Sequence, residues 1–400
     1  MQTRTNRRGF VQTTLAVSTL PGLVGRAAAR AGADSQIKLG VIGNGGRGSW
    51  IAGLFRKHGG YEMHAVADYF PEVVDKCGEA LGVPRQRRFS TLSGYKRLIE
   101  SGVEAVALEV PPFFLPEHAA AAAAAGLHVY MAKPVAVDVP GCLQIEAAAR
   151  LAALKHRCFF VDYQIPTDPT NIDVHKAVKD GKIGPLAQVA TFGIGGGFAD
   201  PPKTANLESR LRGLVWVNDV AIGGDYVVNY DIHAVDAALW VIGKRPVAAA
   251  GGSRICRRNP HGDGRDVCSV VFEYEGGLVH NHFGQALANQ VPGELSCRIH
   301  GLTGNVTINY WGQARVTGPG VKKAGEVVNL YEAGAVRNIA TFHRNIVEER
   351  YGNETVPRSV DGALATILAR EAAARRTRLT MDELIKENKR LELDPRGLKS

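Results

Sequence analysis

From Ile37 onward the chain alternates between short apolar runs and segments with helical spacing. Ile37 to Ile42 predicts a strand and Gly48 to His58 a helix, and the pair recurs as Glu62 to Ala67 and Glu72 to Leu81. It recurs again as a strand over Ala105 to Val110, an alanine-rich helix over Pro116 to Ala125, and a strand over His128 to Met131. A helix from Val139 to Leu154 and a strand from Cys158 to Val161 close the series. Strands alternating with helices of this length predict βαβ units, and therefore a parallel sheet covered on both faces.

The texture then changes. A helix over Val174 to Asp180 ends at Gly181, and β-like runs follow at Gln188 to Phe192, Val247 to Gly251, Val267 to Tyr274, Leu278 to Phe283, Leu295 to His300 and Asn305 to Asn309. Tyr274-Glu275-Gly276-Gly277-Leu278 and Gly301-Leu302-Thr303-Gly304 read as hairpin turns, so this half predicts a mainly antiparallel sheet. Asp225 to Ile242 interrupts it with a helical stretch. Asn338 to Glu348, Asp361 to Arg375 and Met381 to Leu391 are expected closing helices, the last with a capping box from Thr380 and Glu383.

Between the first strand and the first helix stands Gly43-Asn44-Gly45-Gly46-Arg47-Gly48, and Asp68 follows twenty residues after its last glycine, at the end of the second strand. In that context the glycines have separate tasks. Gly43 makes the tight turn, Gly45 lets the backbone approach a pyrophosphate, and Gly48 lets helix and strand pack closely, with the pyrophosphate on the helix N-terminus. Asp68 would accept hydrogen bonds from the adenosine ribose. Its carboxylate repels a 2′-phosphate and the neighbouring Tyr69 offers no compensating charge, which favours NAD over NADP. The expected fold is α/β, with a Rossmann doubly wound parallel sheet over residues 34–162 and an α+β substrate domain with a large open antiparallel sheet over 163–400.

Two further strand ends carry proline: Val110-Pro111-Pro112, and His128-Val129-Tyr130-Met131-Ala132-Lys133-Pro134. With the glycine loop, these resemble the glucose-fructose oxidoreductase, inositol dehydrogenase and related (Gfo/Idh/MocA) family, and the resemblance extends over essentially the whole chain from Ile37 to the helix at Thr380-Met381-Asp382-Glu383-Leu384. The family usually has Glu-Lys-Pro where this chain has Ala132-Lys133-Pro134. Independently of the resemblance, Lys133 lies at the carboxyl end of a parallel strand, where open α/β sheets bind ligands. A partly desolvated lysine beside a nicotinamide can polarise, or relay a proton from, a hydroxyl under oxidation.

The resemblance also singles out Gly223-Gly224-Asp225-Tyr226-Val227-Val228-Asn229-Tyr230-Asp231-Ile232-His233. It implies a helix after the glycine pair that turns His233 inward as acid/base, with a carboxylate one turn earlier, where this chain has Asn229. Asn229 can position a hydroxyl but takes no proton. Asp225, two turns before His233, is a candidate substrate contact, whereas Asp231 points to another side of the helix. Tyr163 and Gln164, after the last strand of the first domain, fall where the family meets substrate and nicotinamide. Arg212 and Trp216 could line a sugar pocket, by paired hydrogen bonds and by stacking, or Trp216 could be core. His280 and His282 alternate onto one strand face without an evident third ligand, so no metal site is expected.

Taken together these features imply an NAD-dependent oxidoreductase acting on a carbinol of a sugar, glycoside or cyclitol. An NAD-dependent glycosidase or lyase working through a transient keto-sugar, and a non-catalytic sugar or dinucleotide sensor, remain alternatives. The family also implies a homodimer or homotetramer.

The remaining composition bears on location. The first 33 residues hold Arg4, Arg7, Arg8, Arg26 and Arg30 and no acidic residue, so without them the formal charge of +9 falls to +4, too mild and dispersed for a nucleic-acid partner. Arg7-Arg8-Gly9-Phe10, a weakly apolar stretch and small residues up to Ala33 look like a twin-arginine signal, implying the export machinery for folded proteins and a periplasmic or secreted enzyme that carries its cofactor with it. Elsewhere the chain has no uninterrupted apolar run of roughly 20 residues, so no membrane span is expected. The six cysteines lack zinc-type spacing, and Cys256 with Cys268 is the candidate disulfide if one forms.

Overall fold

The computed structural model describes residues 36–400; the arginine pair and the rest of the expected signal lie outside the described residues. The first half runs β1 (Ile37–Ile42), α1 (Gly46–His58), β2 (Tyr61–Asp68), α2 (Pro71–Leu81), β3 (Arg88–Ser90), α3 (Gly94–Ile99), β4 (Ala105–Leu108), α4 (Leu115–Ala124), β5 (His128–Ala132), α5 (Val139–Leu154) and β6 (Phe159–Asp162). These six strands pair in parallel in the order β3-β2-β1-β4-β5-β6. The order reverses between β1 and β4, and a crevice opens there at the strands' carboxyl ends. Burial explains the composition: β4 and β5 are buried at every position, as strands covered on both faces must be.

The second half continues with α6 (Pro169–Lys179), β7 (Leu186–Gly195), α7 (Val220–Gly223), α8 (Tyr226–Asn229), α9 (Ile232–Ile242), β8 (Ala248–Arg254), β9 (Val267–Glu273), β10 (Val279–Ala286), β11 (Glu294–Gly301), β12 (Asn305–Asn309), β13 (Gly312–Gly318) and β14 (Val321–Val327). Then come α10 (Leu330–Val347), α11 (Thr355–Arg375), β15 (Leu379–Thr380) and α12 (Met381–Glu387). Nine strands form one sheet ordered β14-β13-β12-β11-β7-β10-β9-β8-β15, antiparallel apart from the β7/β10 pair among the described strands. Both expected hairpin turns are present, Gly276 and Gly277 each with φ of +82°, and Thr380 and Glu383 form the reciprocal capping box.

Three differences from the sequence reading have physical causes. The short edge strand β3 was not expected: a single 3₁₀ turn over Arg85–Arg87 leads into it, and Arg88 packs against Gly78 of α2. The strands β13 and β14 carry few large apolar residues, Val316 in the one and Val321 and Val327 in the other, so they lack a strong apolar signature. The helical stretch expected over Asp225 to Ile242 breaks between Asn229 and Ile232 into α8 and α9. All six cysteines are free, and of the candidate pair Cys256 is exposed while Cys268 is buried.

The two sheets are joined through α11. Its buried Arg370 donates from Nη1 to the carbonyls of Val137, after β5, and Gly224, before α8, at 2.8 and 3.0 Å. One guanidinium thereby fixes the segment following Lys133 against the segment leading to His233. The C-terminal tail returns to the first sheet: the Lys399 carbonyl accepts from Leu92 N at 3.0 Å, and Lys399 N donates to the Tyr69 hydroxyl at 3.2 Å. Among the described residues no helix is long and apolar enough to cross a membrane.

Candidate active site

A cavity of about 790 Å³ runs along the carboxyl ends of the parallel strands and under the second sheet, with walls from the glycine loop, Asp68, Lys133 and His233. At its adenosine end, Gly43 has a φ of +90°, and a Cβ there would lie 2.6 Å from the carbonyl carbon of Glu109. A Cβ on Gly48 would collide with the Gly43 carbonyl, whereas Gly45 and Gly46 face open space. The chain therefore needs glycine twice for packing and leaves a backbone cradle beside the N-terminus of α1, the shape that a pyrophosphate fits. Asn44 does not face the cavity. Its main-chain N donates to Asp68 Oδ2 at 2.7 Å and its side chain to the Val41 carbonyl at 3.2 Å, so it holds the aspartate rather than a ligand. With Oδ1 accepting from Phe70 N at 3.0 Å, Asp68 is fixed in orientation. Burial pushes its carboxyl above the ordinary range, while the hydrogen bonds from Phe70 and Asn44 oppose that.

Next to the glycine loop four charged side chains converge. Arg47, in the first turn of α1, places Nε 3.0 Å from Glu109 Oε2 and pairs through Nη2 with Asp162 at the end of β6. The carbon of its guanidinium lies 5.5 and 5.3 Å from the ring centroids of Trp50 and Tyr331, which stack on each other. Asp162 also accepts from Gln164 Nε2 at 2.8 Å and Asn338 Nδ2 at 2.6 Å. Glu109 is less well provided for: its side chain is 1% exposed, and beyond the ion pair neither oxygen has a hydrogen-bond partner among the described residues. Burial raises its carboxyl to about 7, against the pull of Arg47. Lys133 donates from Nζ to the Asn229 main-chain carbonyl at 2.6 Å, and burial, with the positive charge of Arg47, lowers its ammonium to about 7. Pro134 follows it through a cis bond, buried and away from the cavity surface.

The break between α8 and α9 decides what the His233 segment presents. His233, in the first turn of α9, is 7% exposed, lies edge-on to Tyr310 with centroids 5.0 Å apart, and has an Nδ1 without a partner among the described residues. Burial, then the charges of Lys133 and Arg47, hold its imidazole well below the usual histidine range, so the ring is neutral. Asn229 lines the cavity too, but it meets Lys133 through its carbonyl, which the helix break leaves free, and not through its amide. Asp225 corrects the sequence reading. It is buried behind the wall with a φ of +91°, and its Oδ1 accepts from Tyr226 N and Arg265 N at 2.6 and 2.9 Å, so it caps α8 and is not part of the cavity surface. Asp231 turns the other way, into the second sheet, where Oδ2 meets His282 Nε2 at 2.9 Å. There it lies over Gly193 and Gly284, which face each other across β7 and β10, and a Cβ on either would strike its carboxylate.

Two more expected substrate contacts sit elsewhere. Tyr163 is buried behind His233, ring centroids 6.1 Å apart, and is not part of the cavity surface. Arg212 does line the cavity, but at the adenosine end: its guanidinium carbon lies 3.8 Å over the Phe70 ring and Nη2 meets Glu72 at 2.6 Å. Tyr69, Pro111, Pro112, Gln164 and Trp216 all contribute to the walls. His280 and His282 belong to a buried chain, Tyr274 to His280 to Thr191 to His282, that ends on Asp231. Among the described residues no cluster of three or more potential ligands is placed to hold a metal ion. Sequence reasoning missed Glu109, Asp162, Tyr310 and Tyr331; Glu109 and Asp162 had a signal, a carboxylate at the end of an otherwise apolar run.

A six-stranded parallel sheet ordered 3-2-1-4-5-6, a glycine cradle and an aspartate at the end of the second strand define a dinucleotide-binding protein. Residues 37–163 match the oxidoreductase family with an NAD-binding Rossmann fold, and residues 172–307 match the GFO/IDH/MocA C-terminal domain. The chain belongs to the GFO/IDH/MocA family of NAD-binding oxidoreductases. Among solved structures, aldose-aldose oxidoreductase from Caulobacter crescentus, complexed with glycerol, is 21% identical with a TM-score of 0.69, covering 86% of this chain and 99% of its own. A levoglucosan dehydrogenase in complex with NADH and levoglucosan is 17% identical with a TM-score of 0.71, covering 87% of this chain and 100% of its own. A putative myo-inositol dehydrogenase from Sinorhizobium meliloti 1021 is 18% identical with a TM-score of 0.66, covering 86% and 100%. These likenesses concern the fold. No curated protein matches the chain by sequence.

Proposed function

We propose that the protein oxidises a carbinol of a sugar, glycoside or cyclitol, with NAD held as a resident group. The observation that supports this reading is the meeting of Lys133 and His233 in the cavity that begins at the glycine cradle. The neighbours that act on levoglucosan and are named for aldoses and myo-inositol point to the same substrate class. When bound, NAD supplies a nicotinamide ring that accepts hydride.

The chain's own residues do the rest. Asp68, oriented by Asn44 and Phe70, would accept from ribose hydroxyls, and the backbone of Gly45 and Gly46 would hold the pyrophosphate. Lys133, tethered to the Asn229 carbonyl, directs its remaining donors at the substrate oxygen. His233 presents its neutral imidazole to the hydroxyl, and the Asn229 amide orients a neighbouring one. Trp216 and Tyr310 offer ring faces to sugar C–H groups.

The arginine pair at Arg7-Arg8 leads us to propose export in the folded state. The outer face of the second sheet exposes Val271, Val279 and Phe283, a surface suited to a second copy of the chain. Native protein, denatured and analysed by mass spectrometry, should release NAD. The same protein should develop NADH fluorescence with some member of a panel of aldoses, glycosides and cyclitols. Bound NAD that no member reduces would instead mark a sensor.

A further inference from the structure

We propose that Glu109 is the proton store of this site: its carboxylate takes the proton that the substrate hydroxyl loses when the hydride leaves, and returns it when the hydride returns. The proposal rests on the reading of the site as a carbinol oxidoreductase.

Its basis is a gap in the proton path. Oxidising a carbinol breaks one C–H and one O–H bond. The hydride forms a C–H bond on the ring, which is reduced, the carbon becomes a carbonyl, and the proton needs a holder. His233 is too strongly desolvated to keep it, and Asn229 cannot take it. Lys133 passes it on, because burial and the positive charge of Arg47 disfavour its ammonium form. Glu109 stands just past the end of β4, whose Leu108 is paired with Met131 of β5, two residues before Lys133. Its carboxylate is enclosed in the wall of the same cavity, and beyond the Arg47 ion pair neither oxygen has a hydrogen-bond partner among the described residues.

The charged and titratable groups facing Glu109 are Arg47 from α1, Tyr130 from β5, Lys133 just past its end, and Asp162 from β6, while the glycine loop presents backbone. One guanidinium thus serves two carboxylates, and only Glu109 lacks other donors. The nicotinamide ring is cationic when oxidised and neutral when reduced. Glu109 is accordingly held as the anion before hydride transfer and becomes the acid after it, which keeps the charge at this end of the cavity constant. Written out, the carbinol, the cationic ring and the Glu109 carboxylate become the carbonyl compound, the reduced ring and the Glu109 acid.

Binding tests this without a substrate. Cofactor-stripped full-length protein is titrated calorimetrically with NAD⁺ and with NADH in buffers of different ionisation heat, which counts protons taken up. At pH 7 NADH should take up more protons than NAD⁺, by a sizeable fraction of one. The difference should fade at pH 5 and pH 9. Glu109→Gln should lose most of it while binding both forms, and Glu109→Asp and Lys133→Met should keep most of it. Equal uptake by the wild type overturns the proposal alone, as does a difference that survives in Glu109→Gln and vanishes in Lys133→Met. If neither dinucleotide binds, the parent reading falls as well. If the glutamine variant does not fold, Lys133→Met decides the matter: a difference that persists there supports Glu109, and one that vanishes overturns the proposal.

Discussion

Nε of Arg47 lies 3.0 Å from Oε2 of Glu109, so the glycine loop that receives the cofactor is tied to the strand end beneath the reacting groups. The pair joins two otherwise separate jobs, holding the dinucleotide and managing charge where hydride is exchanged. Burial raises Glu109 to about 7, well above its value in an unfolded chain, so the folded state binds the extra proton. Stability from this group is therefore present at low pH and lost as pH rises from about 4.5 through 7. The expected result is that Glu109→Gln gains on the wild type across that window, by at most about 3 kcal/mol, in urea unfolding at pH 5 and pH 8. A gap that narrows toward pH 8 would contradict it.

Lys133→Met and His233→Ala should each lower turnover by about two or more orders of magnitude, since each removes a group placed for proton transfer. NADH affinity, read by fluorescence, should change far less. Near-normal turnover in both variants would remove them from the chemistry.

The pH dependence of kcat/KM for oxidation should rise from acid pH and level off above about 7, where Lys133 is neutral and able to take a proton. The reverse reaction should fall over the same range. A flat oxidative profile between pH 5 and 9 would mean that neither Lys133 nor Glu109 titrates in the step.

Asp68→Asn should weaken NAD binding by about tenfold or more, because it removes charge-assisted hydrogen bonds to the ribose. It should weaken NADP binding less, or improve it, since the repulsion of a 2′-phosphate goes with the charge. Equal losses for the two cofactors would place the adenosine ribose elsewhere.

Gly193→Ala and Gly284→Ala should each destabilise the protein by about 1–3 kcal/mol, because a methyl group on either strand strikes the Asp231 carboxylate. Asp231 is two residues before His233, so turnover should fall as well. Thermal melting with an activity assay separates this from a harmless surface change.

The parallel sheet was legible because buried strands and covering helices have different periods, and the glycine loop because sterics leave few alternatives at Gly43 and Gly48. The chemistry at the strand ends was legible in part. Lys133 announces itself by its position before a proline, but its partner at residue 229 is a carbonyl, set by backbone geometry that no side chain encodes. Glu109 was counted into a strand that stops at Leu108, and so its place on the cavity rim could not be seen. Asp225 looked like a substrate contact while α8 and α9 were one helix; once broken, the same residue becomes a cap. Arg212 was assigned by residue type alone, which could not say at which end of a long cavity it would stand.

The tail that brings Lys399 against Tyr69 and Leu92 has a practical side. A purification tag fused to Ser400 would hang at the lip of the adenosine end, next to the point where a dinucleotide enters or leaves. Batches tagged there and batches tagged elsewhere should differ in how much cofactor survives dialysis, and a purified protein free of dinucleotide is no proof of an empty protein in the cell.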